Sequence, residues 1–180
     1  MLVPQGRAAV EGARIELRDV VATDHDALFA FQCEPAGAAM AMVKPRSREA
    51  FDAMWARFGE QVARGEPGLV AKAILADGVL CGSIGCFVSV GESSAGELSE
   101  RELSVGYGIG RAWWGRGIAS RALALLLEQT TTRPIFARAA ASNVASRRVL
   151  EKNGFVLVGS QWSPETERYL ACEEVKFVLR

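Results

Sequence analysis

Residues Gly106 to Gln129, GYGIGRAWWGRGIASRALALLLEQ, place five glycines within twelve positions and then pass into an unbroken helical pattern. Just upstream, RELSVGYGI alternates: Leu103, Val105, Tyr107 and Ile109 share one face of a strand, while Glu102, Ser104, Gly106 and Gly108 share the other. Downstream, Ile118, Ala122, Leu125, Leu126 and Gln129 fall along one side of a helix. A strand therefore runs through a bare turn into a helix. Free amide N–H groups around Gly115, Gly117 and Ala119 can converge there on one anion, aided by the positive end of the helix dipole. Gly115 and Gly117 remove side chains that would hold a phosphate away, Ala119 is small, and Arg116 supplies a nearby cation.

Two other phosphate-binding designs fail on spacing. Gly110 and Gly115 are separated as in a P-loop, but Arg116-Gly117 stand where Lys and Ser/Thr belong, so magnesium would lose its hydroxyl ligand. GYGIGR carries glycine at every second position, on one strand face, which is not the G-x-G-x-x-G of a dinucleotide site.

The flanking chain predicts the rest of the sheet. RIELRDV reads as a first strand, followed by a helix from Asp24 to Phe31 capped by Thr23. EPAGAAMAMVKPRS shows no period and reads as an irregular connection, and a helix runs from Glu49 to its stop at Gly65. Ala76-Asp77-Gly78 joins LVAKAIL and VLCGSIGCFVSV in an antiparallel hairpin, and GESSAGELSE reads as a loop. PIFARAA is a buried strand, Val144 to Lys152 a helix, and FVLVGS and EEVKFVLR a terminal strand pair. The order predicts a single mixed α/β (α+β) domain over residues 14–180, preceded by a loose tail over residues 1–13.

Composition narrows the function. The chain of 180 residues is 49% hydrophobic and carries 21 basic and 21 acidic residues, so no global field collects nucleic acid or an anionic membrane. Cys33, Cys81, Cys86 and Cys172 form no C-x-x-C, and Cys81 and Cys86, five apart on one strand, fall on opposite faces. With no signal peptide and no long apolar run, this points to the cytoplasm. His25 is the single histidine, which rules out a multi-histidine zinc site, and its place in TDHD suggests a solvated surface role.

A second motif, SNVASRRVLEKNGF, follows on the next strand–helix unit. Gly106-Tyr107, Trp114-Gly115-Arg116-Gly117-Ile118-Ala119, Asn143-x-x-Ser146 and Gly154-Phe155 together resemble the GNAT superfamily of acetyl-CoA-dependent N-acetyltransferases. The branch most resembled contains ribosomal-protein N-terminal acetyltransferases, and the likeness runs from Ile15 to the C-terminus. It implies a twisted, mostly antiparallel sheet of about seven strands flanked by about four helices. The fourth and fifth strands splay apart, and the pantetheine arm of acetyl-CoA lies against Tyr107, Gly108 and Ile109. The pyrophosphate would fall on Gly115 to Ala119, with Trp114 packing on the sheet. Asn143 would bond the cofactor arm while also capping its helix. Ser146 would protonate the departing thiolate, since Leu150 stands where many relatives carry a tyrosine acid. Amides near Gly108 and Ile109 would hold the oxyanion.

The resemblance implies direct transfer to a primary amine, a peptide N-terminus or a small molecule, without a metal and with a homodimer allowed for. One departure stands out. Relatives often place a glutamate two positions before Gly106, and here Ser104 stands there. Glu102, one strand repeat back and about 7 Å away, is the candidate base through a water chain, with Glu165 and Glu167 as further candidates. Without a strong base the chemistry favours an amine that is already partly neutral. A non-catalytic acyl-CoA-binding sensor or interaction module is the alternative.

Overall fold

The Asp77-Gly78 pair has positive φ at both positions, 49° and 78°, the geometry of a two-residue turn whose twist matches the strands it joins. It connects β2 (Val70–Ala76) to β3 (Val79–Glu92) in the computed structural model, which describes residues 12–92 and 98–180. With β1 (Ile15–Asp19), β4 (Leu98–Ile109), β5 (Ile135–Ala140), β6 (Val156–Ser163) and β7 (Cys172–Leu179), these strands form one seven-stranded sheet in the order β1-β2-β3-β4-β5-β7-β6. Every neighbouring pair is antiparallel except β4 and β5. That parallel pair requires a crossover, which the helix α4 (Ile118–Gln129) supplies.

The helices divide between the two faces. On one, α4 and α5 (Val144–Lys152) bury Ile118, Ala122, Leu123, Leu126 and Leu150 against Ile84, Cys86, Val105, Ile135, Ala137 and Phe177. The stripe of α4 differs from expectation: Leu123 is fully buried, whereas Leu125 is half-buried and Gln129 exposed. Full burial of such a leucine stabilises by about 1.5–3 kcal/mol, and truncating Leu123 to Ala would cost about 2–5. On the other face lie α1 (His25–Gln32), α2 (Pro35–Ala41) and α3 (Arg48–Ala63), where Leu28, Ala38 and Phe51 are buried.

Several sequence expectations need correction. α2 occupies the stretch expected to be irregular, so the described residues form five α-helices; Pro35 opens α2 and left-handed Met42, at φ 53°, closes it. Two turns of Ala, Gly and Met are too short to display a helical period. Thr23 caps no helix: it lies in a 3-10 turn, Ala22–Asp24, and the buried Asp24 carboxylate accepts instead from Arg18 and from the Val21 amide. His25 stacks on Trp55 at 5.5 Å and meets Phe51 edge-on, so it belongs to an aromatic cluster. Cys81 and Cys86 do not take opposite sides. A β-bulge between the pairs Ile74↔Gly82 and Leu75↔Leu80 carries Cys81 into the same buried cluster as Cys86. Burial pushes their thiols up to about 12 and about 11, which makes them inert.

The expected loop after β3 is shorter than predicted, since β3 reaches Glu92 and β4 starts at Leu98; residues 93–97 lie outside the described set. The expected tail also lies outside it, except for Gly12 and Ala13. Ala13 is buried, and its carbonyl accepts from Arg121 at 2.8 Å. Among the described residues no helix is long and apolar enough to cross a membrane, and no group of three His, Cys, Asp or Glu side chains could hold a metal ion.

Candidate active site

β4 and β5 pair at one position only, Ser104↔Phe136. Beyond it, residues 105 to 109 keep β3 as their partner while β5 runs on to Ala140 without closing on them. The sheet is therefore unzipped between its two parallel strands. Gly108 borders the gap, and a Cβ there would meet nothing within 4 Å. A narrow ligand arm can approach that backbone.

At the end of β4 the chain turns tightly. The Gly110 amide donates to the Cys81 carbonyl at 2.9 Å, and a Cβ on Gly110 would strike the Phe31 ring at 2.8 Å. A 3-10 turn, Arg111–Trp113, follows, and Trp114 folds back so that its indole Nε1–H donates to the Ile109 carbonyl at 2.7 Å. Trp114 thus braces the turn against the strand end. Gly115 and Gly117 then take left-handed φ, +72° and +68°, with open space where a side chain would be. Gly117 is the N-cap of α4 and offers no side-chain cap, and the amides of residues 115 to 120 donate to no acceptor among the described residues. Ile118 is buried in the core and presents only its backbone, while Ala119 is half-buried.

Arg116 lies over the Trp113 ring at 5.4 Å, and its Nη1 is buried without a hydrogen-bond partner. Arg121 ties the turn down by donating to the Arg116 carbonyl at 3.1 Å. Unpaired amides, an orphaned guanidinium nitrogen and two bare positions make a cradle that fits a diphosphate. The residues present suit coenzyme A.

α5 brings up the second motif. Asn143 is its N-cap, the side-chain Oδ1 accepting from the Ser146 amide at 3.0 Å. The Ser146 hydroxyl lies 2.9 Å from the Tyr107 hydroxyl, which also donates to the Ser146 carbonyl at 3.2 Å. Burial pushes the Tyr107 phenol up to about 12, outweighing the opposing effect of its bond to Ser146, so it stays protonated and serves as a donor. This pair escaped the sequence reading. Alternation puts Tyr107 on the inward face of β4, but only the fold shows that α5 packs on that face. Leu150 is buried in the core and offers no acid.

On the opposite face of β4, Ser104 and Glu102 join a polar network. Ser104 is 4% exposed, and its Oγ lies 2.7 Å from Ser89 Oγ. Glu102 accepts from Arg138 Nη2 at 2.8 Å and from Lys176 Nζ, and Arg138 also lies 3.6 Å from Glu174. Burial pushes the Glu102 carboxyl up, but the bonds from Lys176 and Arg138 prevail and hold it below its ordinary value. Glu102 is thus a doubly paired carboxylate. Glu165, in the loop between β6 and β7, is ion-paired with Lys44 at 2.5 Å, and Glu167 is exposed in the same loop.

The geometry defines a class: a coenzyme A-dependent acyltransferase, with a phosphate cradle at one end of an opened sheet and hydroxyl and carboxylate groups at its sides. The chain belongs to the GNAT family, and the family profile described as acetyltransferase (GNAT) domain matches residues 14–156. It is an acetyl-CoA-dependent N-acetyltransferase by that membership. No curated protein sequence matches it. Among solved structures it is similar to RimL, the ribosomal L7/L12 alpha-N-protein acetyltransferase in complex with coenzyme A, at 18% identity, 93% and 94% coverage of the two chains and a TM-score of 0.68. The microcin C7 self immunity acetyltransferase MccE, in complex with acetyl-CoA and AMP, is 13% identical with 92% and 91% coverage and a TM-score of 0.70. Spermidine N-acetyltransferase from Vibrio cholerae, in complex with CoA and spermine, is 14% identical with 91% and 95% coverage and a TM-score of 0.67. At these identities the likeness establishes the fold.

Proposed function

We propose that the protein transfers the acetyl group of acetyl-CoA directly to a primary amine, a peptide N-terminus or a small-molecule amine, within a ternary complex. Acetyl-CoA supplies the activated acyl group as a thioester. One observation carries the reading: the gap between β4 and β5 opens beside a hydroxyl pair, Ser146 and Tyr107, on one face of the sheet, and the Glu102–Ser104 network lies at its closed end on the other. An amine can thus arrive from one side while the leaving thiolate is protonated from the other.

In this reading the amides of Gly115 to Ala119 and the Arg116 guanidinium hold the pyrophosphate, with Trp114 bracing their turn. The exposed backbone of Tyr107, Gly108 and Ile109 receives the pantetheine arm, and amides near Gly108 and Ile109 bear the charge that develops on the acyl oxygen. Asn143 uses its Oδ1 on the helix and has its amide nitrogen left for the arm. Ser146 gives the proton to sulfur and regains hydrogen bonding from Tyr107.

The amine must arrive neutral. Glu102, expected as the base, is saturated by two cations, so it receives a proton only through water and only from an amine that releases one readily. An α-amine, with a pKa near ~8, meets that demand far better than a lysine side chain near ~10.4. RimL is named for an α-amine substrate and the Vibrio cholerae enzyme for a polyamine, which spans the range to be tested. The decisive experiment follows acetyl-CoA consumption against peptides, polyamines and aminoglycosides, with coenzyme A binding measured by calorimetry in parallel. Turnover with an α-amine peptide is the expected result. Binding without turnover on any amine would leave the fold as an acyl-CoA sensor. We also propose a cytoplasmic location, which the four unpaired cysteines suit, and a homodimer formed through β6.

A further inference from the structure

The acceptor side is roofed by two segments far apart in sequence. Residues 42 to 46, leaving α2, pair with the loop between β6 and β7: Val43 bridges Tyr169, the Lys44 amide donates to the Arg168 carbonyl at 2.9 Å, and the Leu170 amide donates to the Met42 carbonyl at 2.8 Å. Arg168 returns a bond to the Lys44 carbonyl. α2 packs on β5, and the strand after the loop, β7, meets the chain just past the end of β5, where the Glu173 carbonyl accepts from the Ala141 amide at 2.8 Å. The roof is therefore tied to the far end of β5, the strand that borders the gap, where β5 runs on unpaired with β4.

The cations on and around it are not alike. Lys44 is neutralised by Glu165, Arg48 by Asp26 and Asp52, and Arg138 and Lys176 by Glu102. Arg46 and Arg168 have no carboxylate partner among the described residues. Arg46 makes no hydrogen bond there at all, and Arg168 keeps a buried Nε without a partner. The backbone pairing of residues 42–44 with 168–170 draws the two arginines' segments together, and Arg168 lies over the Tyr169 ring at 5.9 Å. Burial lowers the pKa of both guanidinium groups, and like charge lowers it further, Arg57 acting on Arg46 and Arg46 on Arg168, against an opposing effect of Tyr169 on each. Like charges brought together and partly desolvated without a counter-ion cost free energy, which an anion between them would recover.

We propose that the acceptor amine carries an anionic group, carboxylate or phosphate, and that Arg46 and Arg168 hold it so that the amine reaches the thioester. This rests on the acetyltransferase reading above and narrows its substrate class. The planar fork of arginine suits both kinds of oxyanion, and a polycationic acceptor would meet two uncompensated positive charges.

The test compares a Ser-Asp-Ala-Tyr amide, its Ser-Asn and Ser-Lys counterparts, O-phosphoethanolamine and spermidine at saturating acetyl-CoA. An anionic acceptor should exceed the Ser-Asn peptide at least about tenfold in kcat/KM, and the Ser-Lys peptide and spermidine should fall below it. Preference for the Asp peptide identifies a carboxylate, and preference for O-phosphoethanolamine a phosphate. Arg46→Gln, which breaks no hydrogen bond seen here, should bring the anionic-to-neutral ratio to about one through KM, and Arg46→Glu should invert it. Equal kcat/KM for anionic and neutral acceptors in the native protein, or a ratio unmoved by Arg46→Gln, overturns the proposal. Calorimetry separates this result from failure of the broader reading. The N-acetylated Ser-Asp peptide should bind the coenzyme A complex of the native protein and not that of Arg46→Gln, whether or not turnover is seen. Equal affinity in the two overturns the proposal as well.

Discussion

Ser146 and Glu102 make opposite demands on their surroundings. A serine hydroxyl is a weak acid, so its usefulness depends on a neighbouring donor that hydrogen-bonds the oxygen while its proton is passed to sulfur and until water restores it; the Tyr107 phenol, 2.9 Å away and held protonated by burial, fills that place. Ser146→Ala should lower kcat by about 10²-fold while leaving coenzyme A affinity within about twofold, since only the proton transfer is lost. Steady-state kinetics with calorimetry check this, and a parallel loss of affinity would assign Ser146 to binding alone. Glu102 is a question of linkage. Its carboxyl titrates below its ordinary value of 4.5 in the folded chain, so its contribution to stability is present above that value and is lost as pH falls through the folded pKa. Glu102→Gln strips Arg138 and Lys176 of their main counter-charge and should cost about 1–3 kcal/mol at pH 7. Denaturant melts of both proteins should show that gap closing as the pH drops below 4.5, the carboxyl's ordinary value. A gap that persists in acid would mean the glutamate acts through packing.

At the scale of elements, two glycines separate folding from binding. A methyl on Gly82 would lie 2.1 Å from the Gly108 carbonyl oxygen, so Gly82→Ala forces β3 from β4 and should abolish soluble expression or cost more than about 3 kcal/mol. A methyl on Gly117 meets nothing within 4 Å, so Gly117→Ala pays only the left-handed backbone penalty, about 1–2 kcal/mol. It stands in the cradle, however, and coenzyme A affinity should fall at least about tenfold by calorimetry. Full affinity in the Ala variant would move the diphosphate elsewhere. The same segment shows why so much was legible in the sequence. Alternation along β4, glycines at the turn and the apolar stripe of α4 are local signals, and each specifies its own geometry. What local pattern did not show was α2, too short for a period; the bulge at Cys81, whose one local mark, Gly82, is only one of several glycines along β3; and Asp24, whose partner Arg18 sits on the preceding strand. Likewise, the meeting of Tyr107 with Ser146 and of Arg46 with Arg168 depends on which helix or loop covers which face, and that is a property of the assembled sheet.

At the scale of the whole molecule, the sheet has two edges of different character. β1 ends it with IELRD, whose Glu16, Arg18 and Asp19 are charged and engaged by Arg14, Asp24 and Lys72, a protected edge. β6 ends it with VLVGSQWS, eight residues without a charge or a proline and exposed along nearly their whole length, Val156 at 59% and Trp162 at 70%. Such an edge invites another strand. It offers no charge by which a different protein could be selected, whereas a second copy supplies an identical strand that pairs antiparallel across a twofold axis. Pairing there would extend the sheet through two protomers and shield Val156, Leu157 and Trp162 without touching the cradle of Gly115 to Ala119. Light scattering coupled to gel filtration should report a dimer at low micromolar concentration, and Leu157→Lys with Trp162→Lys should convert it to a monomer that still binds coenzyme A. The paired lysines act by placing like charges opposite each other across the axis, so the monomer should revert toward dimer in high salt. A native protein that is monomeric under these conditions, or a dimer indifferent to both lysines, would place the contact on another surface.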